Sequence, residues 1–188
     1  MRVALCQTNC GEDVAANEEQ VFGLLEQAAA GEADLAALPE VWPLQGSAKQ
    51  VRESAEPVPG PRTERLAEVA SRHRMWVHGG SVLERDGERI FNTSVLFDRS
   101  GEQVATYRKI HLFDADPPGA VPSRESSVFT PGDQVVTAET EFGRVGRINC
   151  GDGNGRAVRL GNLSVTHDDR TAVVAGAEVA IMPGERVL

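Results

Sequence analysis

The sequence predicts an α/β fold in which one sheet combines parallel and antiparallel strands. Short apolar runs that suit buried strands alternate with amphipathic segments that suit helices. Two turn signals, Asp86-Gly87 and residues 99–102, separate strand-like segments closely enough to form hairpins. The 188 residues, 40% of them apolar, suffice for one domain with a sizeable core but not for two ordinary domains. We therefore expect a single domain over residues 1–188.

The first part of the chain predicts a strand, a helix and a second strand. Residues 2–8 favour the first strand, and Asp13 or Asn17 can cap the helix that follows. The helix has apolar residues on one face, namely Val21, Leu24, Leu25 and Ala28. Residues 35–38 form an apolar run closed by a proline and predict a buried strand. Glu40 therefore stands at a strand exit.

The rest of the chain predicts one more helix and several strands. Residues 56–62 are rich in proline and glycine and indicate a loop. The helix after this loop has Leu66, Val69 and Ala70 on one face. We expect further strands over residues 76–82, 90–98, 103–108, 142–149 and 178–182. Residues 110–133 contain many turn residues and predict a long loop of functional importance, and residues 151–172 predict no helix.

Composition and charge limit the partners that this chain can have. The formal net charge is −9, and no basic run is present, so nucleic acid and anionic membranes are poor partners. No segment is long and apolar enough for a membrane span or a signal peptide. The three cysteines, Cys6, Cys10 and Cys150, have no metal-ligand spacing and indicate neither a disulfide framework nor a zinc site. We expect a soluble, cytoplasmic protein.

Cys150 is the first candidate for chemistry. It ends a strand-like run that begins at Val145 and precedes a glycine-rich turn, so its thiol can be held rigidly and still face a cleft. A small cysteine that fills the core is an equally good interpretation of this segment alone. Glu40 and Lys109 also follow strands, although each by itself suits a solvated loop or surface residue. Together, the three groups match what thiol-based hydrolysis of a C–N bond requires.

Three motifs resemble those of the nitrilase superfamily of carbon-nitrogen hydrolases, and they occur in the order of that family. They are Leu38-Pro39-Glu40, residues 107–114 and the strand that ends at Cys150. Supporting pieces are Gln7-Thr8, Asn92-Thr93-Ser94 and Glu125-Ser126 before Pro131-Gly132. The stretch from Lys109 onward is most similar to omega-amidases and Nit-type amidases. The resemblance implies a nitrilase-like α-β-β-α sandwich that forms a homodimer or a higher homo-oligomer.

The same resemblance implies a role for each candidate residue. Cys150 is the nucleophile and forms a thioester with the substrate, and Glu40 is the general base. Lys109 and the backbone N–H of Gly151 stabilise the oxyanion, while Glu125 helps to hold the substrate and the lysine. The implied substrate is a small amide of the omega-amide type, which is hydrolysed to the carboxylic acid and ammonia. The implied reaction needs no metal and no organic cofactor.

The chain departs from the family pattern after Cys150. Residues 151–156 contain three glycines, each of which opposes a helix by about 1 kcal/mol relative to alanine. Similarity returns at residues 176–183, and the family domain continues beyond the length of this chain. The resemblance thus implies a sandwich that is incomplete at its C-terminus. Two hypotheses follow: a thiol amidase, or a catalytically inactive, truncated remnant or scaffold of the same fold.

Overall fold

The computed structural model describes residues 1–116, 123–146, 158–160, 163–165 and 178–183. The α-helices of these residues are α1 (Val14–Ala30), α2 (Ala48–Ser54) and α3 (Pro61–His73). The strands of the first half are β1 (Arg2–Gln7), β2 (Leu35–Ala37), β3 (Trp76–Asp86), β4 (Arg89–Phe97) and β5 (Gln103–Arg108). Those that follow are β6 (Asp114–Ala115), β7 (Ser123–Arg124), β8 (Thr137–Thr140), β9 (Gly143–Gly146), β10 (Val158–Leu160), β11 (Leu163–Val165) and β12 (Glu178–Pro183). A 3-10 helix spans Glu125–Ser127.

The strands form a mixed sheet and a smaller antiparallel sheet. The larger sheet has the order β12-β1-β2-β3-β4-β5. Its neighbours from β12 to β3 are parallel, whereas β3, β4 and β5 are joined by antiparallel pairing. The smaller sheet has the order β11-β10-β9-β8 and is antiparallel throughout. The mixture of parallel and antiparallel pairing confirms the sheet type that the sequence predicts.

Helix α1 begins and packs for reasons that the sequence reveals. The Asp13 side chain accepts a hydrogen bond from the N–H of Ala16 and caps the helix. The predicted apolar face is buried, with Val21, Leu24, Leu25 and Ala28 at most 2% exposed. Asn17 is not the cap but lies inside the helix. Its side-chain amide donates to the carbonyl oxygens of Gly11 and Pro43, which fastens the helix to the loop after β2.

Two of the apolar clusters define the layers of the fold. The first cluster packs α1 and α3 against one face of the six-stranded sheet and includes Leu24, Leu25, Leu66 and Val69. The second lies between the two sheets and includes Val3, Leu35, Trp76, Leu96 and Ala105 from the larger one and Ala138 and Val145 from the smaller one. Full burial of each large side chain contributes about 1.5–3 kcal/mol. The helices, the larger sheet and the smaller sheet are therefore three successive layers. They correspond to the first three layers of an α-β-β-α sandwich.

Three elements differ from the sequence-based expectation. Helix α2 is not predicted because it has only seven residues and buries one of them, Val51, so no apolar period is visible. A capping box between Ser47 and Gln50 begins it instead. Helix α3 begins at Pro61, inside the segment that the sequence assigns to a loop, because proline suits the first turn of a helix. The third is β8, a strand that the sequence does not predict. It lies just before the predicted strand over residues 142–149.

The long loop and the last strands agree in part with the sequence. Residues 110–133 contain the two-residue strands β6 and β7, which pair with each other, and the 3-10 helix. The predicted strand at residues 142–149 is described as β9 up to Gly146, and its remainder lies outside the described residues. β12 confirms the predicted last strand. In the described part of the chain, no helix is long and apolar enough to cross a membrane.

A backbone irregularity in β3 makes room for the chain that leaves β2. The register between β3 and β4 shifts between His78 and Ser81, and Gly80 has a φ of +57°. A Cβ atom on Gly80 would lie 1.9 Å from the carbonyl oxygen of Pro39. The N–H of Ser81 donates to that same oxygen at 3.1 Å. The glycine therefore fixes the path of the chain just before Glu40.

We expect Gly80→Ala to destabilise the protein more than Gly87→Ala does. Both glycines have a positive φ, +57° and +61°, but a Cβ on Gly87 would meet no atom within 4 Å. The positive φ costs alanine about 1–2 kcal/mol at either position, and Gly80→Ala adds the clash with Pro39. Urea unfolding of both variants measures the difference. Equal losses of the free energy of unfolding would show that Gly80 is not packed against the turn.

Candidate active site

The structure brings Glu40, Lys109 and Glu125 into direct contact. Glu40 lies three residues after β2, Lys109 directly follows β5, and Glu125 begins the 3-10 helix. The Nζ atom of Lys109 lies 3.0 Å from Oε1 of Glu40 and 3.0 Å from Oε2 of Glu125. A second contact to Glu125 runs from Nζ to Oε1 at 3.2 Å. One ammonium is therefore shared by two carboxylates that are distant in the sequence.

Lys109 is buried, with only 2% of its side chain exposed. Its backbone is held on both sides: its N–H donates to the carbonyl oxygen of Asn92 at 2.9 Å, and its carbonyl accepts from the N–H of Gly132 at 2.8 Å. A Cβ atom on Gly132 would lie 2.3 Å from the carbonyl oxygen of Arg108, so only glycine allows this approach. The Pro131-Gly132 pair thus fixes the backbone that presents the lysine.

The pKa of Lys109 lies above the ordinary lysine value as the result of opposing effects. Burial acts to lower it, because a buried ammonium loses its hydration. The Coulombic attraction of Glu40, hydrogen bonds to Glu125 and Glu40, and the charge of Glu125 act in the other direction and outweigh burial. At neutral pH the side chain is therefore a fixed cation.

Glu40 is held by two donors on one oxygen and by a rigid turn behind it. Oε1 accepts from the Lys109 ammonium and, at 2.8 Å, from the Nδ2 amide of Asn92. The turn continues through Val41, which has a φ of +49° and donates its N–H to the hydroxyl of Ser81 at 2.8 Å. A quarter of the Glu40 side chain remains exposed. The carboxylate is fixed in place and accessible.

Glu125 connects the long loop to the lysine. Its Oε2 atom accepts from the backbone N–H of Phe113 at 2.7 Å, in addition to the contact with Lys109. A backbone hydrogen bond from the Glu125 N–H to the Phe113 carbonyl closes the same pair of segments. Ser126, the next residue, donates to the Asp114 carboxylate through its N–H and its hydroxyl. The loop after β5 is thereby folded back over the lysine.

A second charged cluster lies on the opposite face of the larger sheet. Because side chains alternate along a strand, Thr93 and Arg108 point away from Asn92 and Lys109. Both bind the carboxylate of Glu84, which is 4% exposed: Thr93 Oγ1 donates to Oε2 at 2.5 Å, and the Arg108 guanidinium contacts both oxygens. This cluster joins β3, β4 and β5 just before Lys109.

Cys150 and Gly151 lie outside the described residues. The nearest described element before them is β9, which belongs to the smaller sheet and ends at Gly146. That sheet packs on the face of the larger sheet that contains Leu96. Asn92 precedes Leu96 by four residues on β4 and therefore lies on the same face.

Sequence reasoning missed what Asn92 and Gly80 do for this site. Asn92 belongs to a motif that supports the family resemblance, but this motif does not indicate what the residue does. Only the strand register shows that Asn92 reaches Glu40. The Gly79-Gly80 pair inside a strand pattern is a signal for a bulge and a close backbone approach. In the described residues, no group of three or more histidine, cysteine or acidic side chains could hold a metal ion.

The sequence of the chain matches a known protein family. The model of the carbon-nitrogen hydrolase family matches residues 2–160. The chain belongs to the carbon-nitrogen hydrolase family. Omega-amidase NIT2 of Homo sapiens is 34% identical over 183 residues, which are 97% of this chain and 63% of that protein. This carbon-nitrogen hydrolase chain therefore spans less than two thirds of the length of that curated relative.

Solved structures show the same fold. A CN-hydrolase superfamily protein of Xanthomonas campestris matches with a TM-score of 0.66 and 27% identity, over 79% of this chain and 52% of that one. The NitFhit protein of C. elegans matches with a TM-score of 0.66 and 25% identity, over 78% of this chain and 37% of that one. The mixed sheet with helices on one face and a second sheet on the other is thus the nitrilase fold, as expected.

We expect Lys109→Met to lower the free energy of unfolding by about 3 kcal/mol at pH 7, because it leaves two carboxylates without their shared cation. The folded-state pKa of Lys109 is raised, so its contribution to stability is fully present below 10.5, the ordinary lysine value. As the pH rises from there through the folded-state pKa, this contribution is lost. Above pH 7, the difference between wild type and Lys109→Met should therefore stay constant until the solution is strongly alkaline and shrink there.

The matched control for this prediction is Lys49→Met, which removes the only other lysine of the chain. Lys49 is 82% exposed and pairs with Glu53 on the surface of α2, so we expect almost no change in stability. Urea unfolding from pH 7 to pH 11 measures both variants. Similar behaviour of the two would contradict the buried ion pair.

Proposed function

We propose that this chain contains the catalytic centre of a thiol hydrolase that converts a small amide of the omega-amide type to its carboxylic acid and ammonia. The observation that supports this most strongly is the buried ammonium of Lys109, held between the carboxylates of Glu40 and Glu125. The fixed cation can donate hydrogen bonds to an oxyanion, and the accessible carboxylate beside it can take the proton of a thiol.

The first half of the proposed reaction forms a thioester at Cys150. A cysteine thiol has an ordinary pKa of about 8.5, so a base must help to generate the thiolate at neutral pH. Glu40 takes the thiol proton as the sulfur attacks the amide carbon, and the carbonyl π electrons move to the oxygen. The oxyanion receives hydrogen bonds from the Lys109 ammonium and the Gly151 N–H. The C–N bond then breaks, and the nitrogen takes the proton from Glu40 and leaves as ammonia.

The second half releases the acid. Glu40 takes a proton from a water molecule whose oxygen attacks the thioester carbon, and the same two donors stabilise the second oxyanion. The C–S bond breaks, the sulfur recovers its proton from Glu40, and the carboxylic acid departs. Protons and electrons balance over these steps without any metal or organic cofactor. One carboxyl group acts as base, acid, base and again acid in turn.

Glu125 has a separate role in this cycle. When Glu40 holds a proton it is neutral, and Lys109 loses half of its anionic surroundings. The contacts of 3.0 and 3.2 Å from Glu125 keep one carboxylate beside the ammonium at that moment. Lys109 therefore remains charged while the oxyanion exists, which is when its charge is needed. By the resemblance, Glu125 also helps to hold the substrate.

Four further features of the proposed enzyme rest on family and sequence. The amide class is supported by the name omega-amidase of the human relative, which is longer than this chain. A homodimer or a higher homo-oligomer stays a prediction from the family resemblance. A single domain over residues 1–188 stays a prediction from the length and composition of the chain. A cytoplasmic location stays a prediction from the small, odd number of cysteines.

We expect the protein to release ammonia from monoamides of short dicarboxylic acids, and Cys150→Ala to lower kcat by about 10³-fold or more. Glu40→Gln should lower kcat to a similar extent, because it removes the base but keeps the shape. Ammonia measured with a coupled dehydrogenase assay, over a panel of omega-amides and simple amides, tests both variants. Absence of ammonia over the whole panel, with a protein that unfolds cooperatively, would contradict the proposal and favour an inactive scaffold.

Cys10→Ser is the matched control for Cys150→Ala. Cys10 is partly exposed, and its thiol donates to the hydroxyl of Thr8 at 3.1 Å. Burial raises the pKa of the Cys10 thiol. Burial also raises the pKa of the Cys6 thiol, to about 12. Neither thiol is set up as a nucleophile, so Cys10→Ser should keep its activity. Loss of activity in Cys10→Ser but not in Cys150→Ala would place the nucleophile elsewhere.

A further inference from the structure

Asn92 is the second donor to the Glu40 carboxylate, and none of the steps above uses it. Its Nδ2 atom lies 2.8 Å from Oε1, the same oxygen that Lys109 contacts at 3.0 Å. Within the described residues, Oε2 of Glu40 receives no such donor. We propose that Asn92 is a positioning residue that holds Oε1 throughout the reaction and leaves Oε2 to exchange protons. This inference rests on the proposed function, in which Glu40 is the base.

The position of Asn92 suits this role for two reasons. It lies in the middle of β4 and is 1% exposed, so its orientation is set by the sheet. Its backbone carbonyl accepts from the N–H of Lys109 at 2.9 Å, while its side chain donates to Glu40. One residue therefore sets the spacing between the base and the cation. A rigid strand holds such a spacing more closely than a loop does.

The lysine alone does not hold Glu40 through the whole reaction. When the oxyanion develops, the Lys109 ammonium must share its hydrogen bonds with the new charge, and its hold on Oε1 weakens. The amide of Asn92 is uncharged and does not titrate, so its contact with Oε1 persists at every pH and at every step. Oε1 then stays fixed, and the carboxyl group rotates little between its four proton transfers.

The test compares Asn92→Ala and Asn92→Asp with wild type. A misplaced base costs rate rather than affinity, so kcat should fall by about 10- to 100-fold in Asn92→Ala while KM changes little. The acidic limb of kcat/KM should move upward, because a donor to the charged carboxylate is lost. In Asn92→Asp the limb should move further, since a second carboxylate then faces Oε1. An unchanged limb in both variants would overturn the proposal.

Thr93→Val is the matched control. Thr93 is adjacent on β4, is fully buried and donates a hydrogen bond of 2.5 Å to a carboxylate, that of Glu84, on the other face of the sheet. We expect a loss of stability comparable to that of Asn92→Ala, with kcat and the acidic limb unchanged. An equal shift of the limb in both variants would show that Asn92 is only structural and would overturn the proposal.

A readout without turnover separates this inference from the proposed function. The carboxyl carbon of Glu40 can be observed by ¹³C NMR at pH 7, with the signal assigned by its loss in Glu40→Gln. Its chemical shift should change in Asn92→Ala, because a hydrogen bond to Oε1 is lost, and should keep the wild-type value in Thr93→Val. A folded wild type that releases no ammonia would overturn the proposed function alone. An equal chemical shift in all three proteins would overturn the role of Asn92.

Discussion

The buried ammonium of Lys109 is the constraint on which the site depends. An unpaired charge in an apolar interior costs several kcal/mol, so this lysine can be buried only with anionic partners and hydrogen bonds. The partners are the carboxylates of Glu40 and Glu125, which are 85 residues apart in the sequence. Each of them must be brought to the lysine by the fold. The loop after β2 and the loop after β5 are therefore both fixed by one cation.

The sheet provides the precision that this contact needs. Gly80 lets β3 pass beneath the turn that presents Glu40, and Gly132 lets the loop approach the backbone before Lys109. Asn92, on β4, contacts both Glu40 and Lys109. These three positions are built into the backbone and its immediate contacts. The geometry of the candidate site is thus set mainly by strand register and by close backbone approaches.

The sequence predicts part of this arrangement and not the rest. Glu40 and Lys109 could be found because they follow strands and belong to family motifs, and the apolar face of α1 follows from its period. The role of Asn92 could not, because an amide inside a strand shows neither its partner nor its face until the register is known. Helix α2 could not either, since one buried residue, Val51, leaves no pattern. Contacts between distant segments are the part that local patterns do not contain.

The proposed reaction acylates Cys150 at a centre that contains Glu40 and Lys109. The most direct measurement is mass spectrometry of the protein after a brief reaction with an omega-amide and an acid quench, followed by peptide mapping. We expect an increase in mass equal to the acyl group, located on Cys150 and removed by hydroxylamine. An unmodified Cys150 in a sample that has released ammonia, or an acyl group on Cys10 instead, would contradict it.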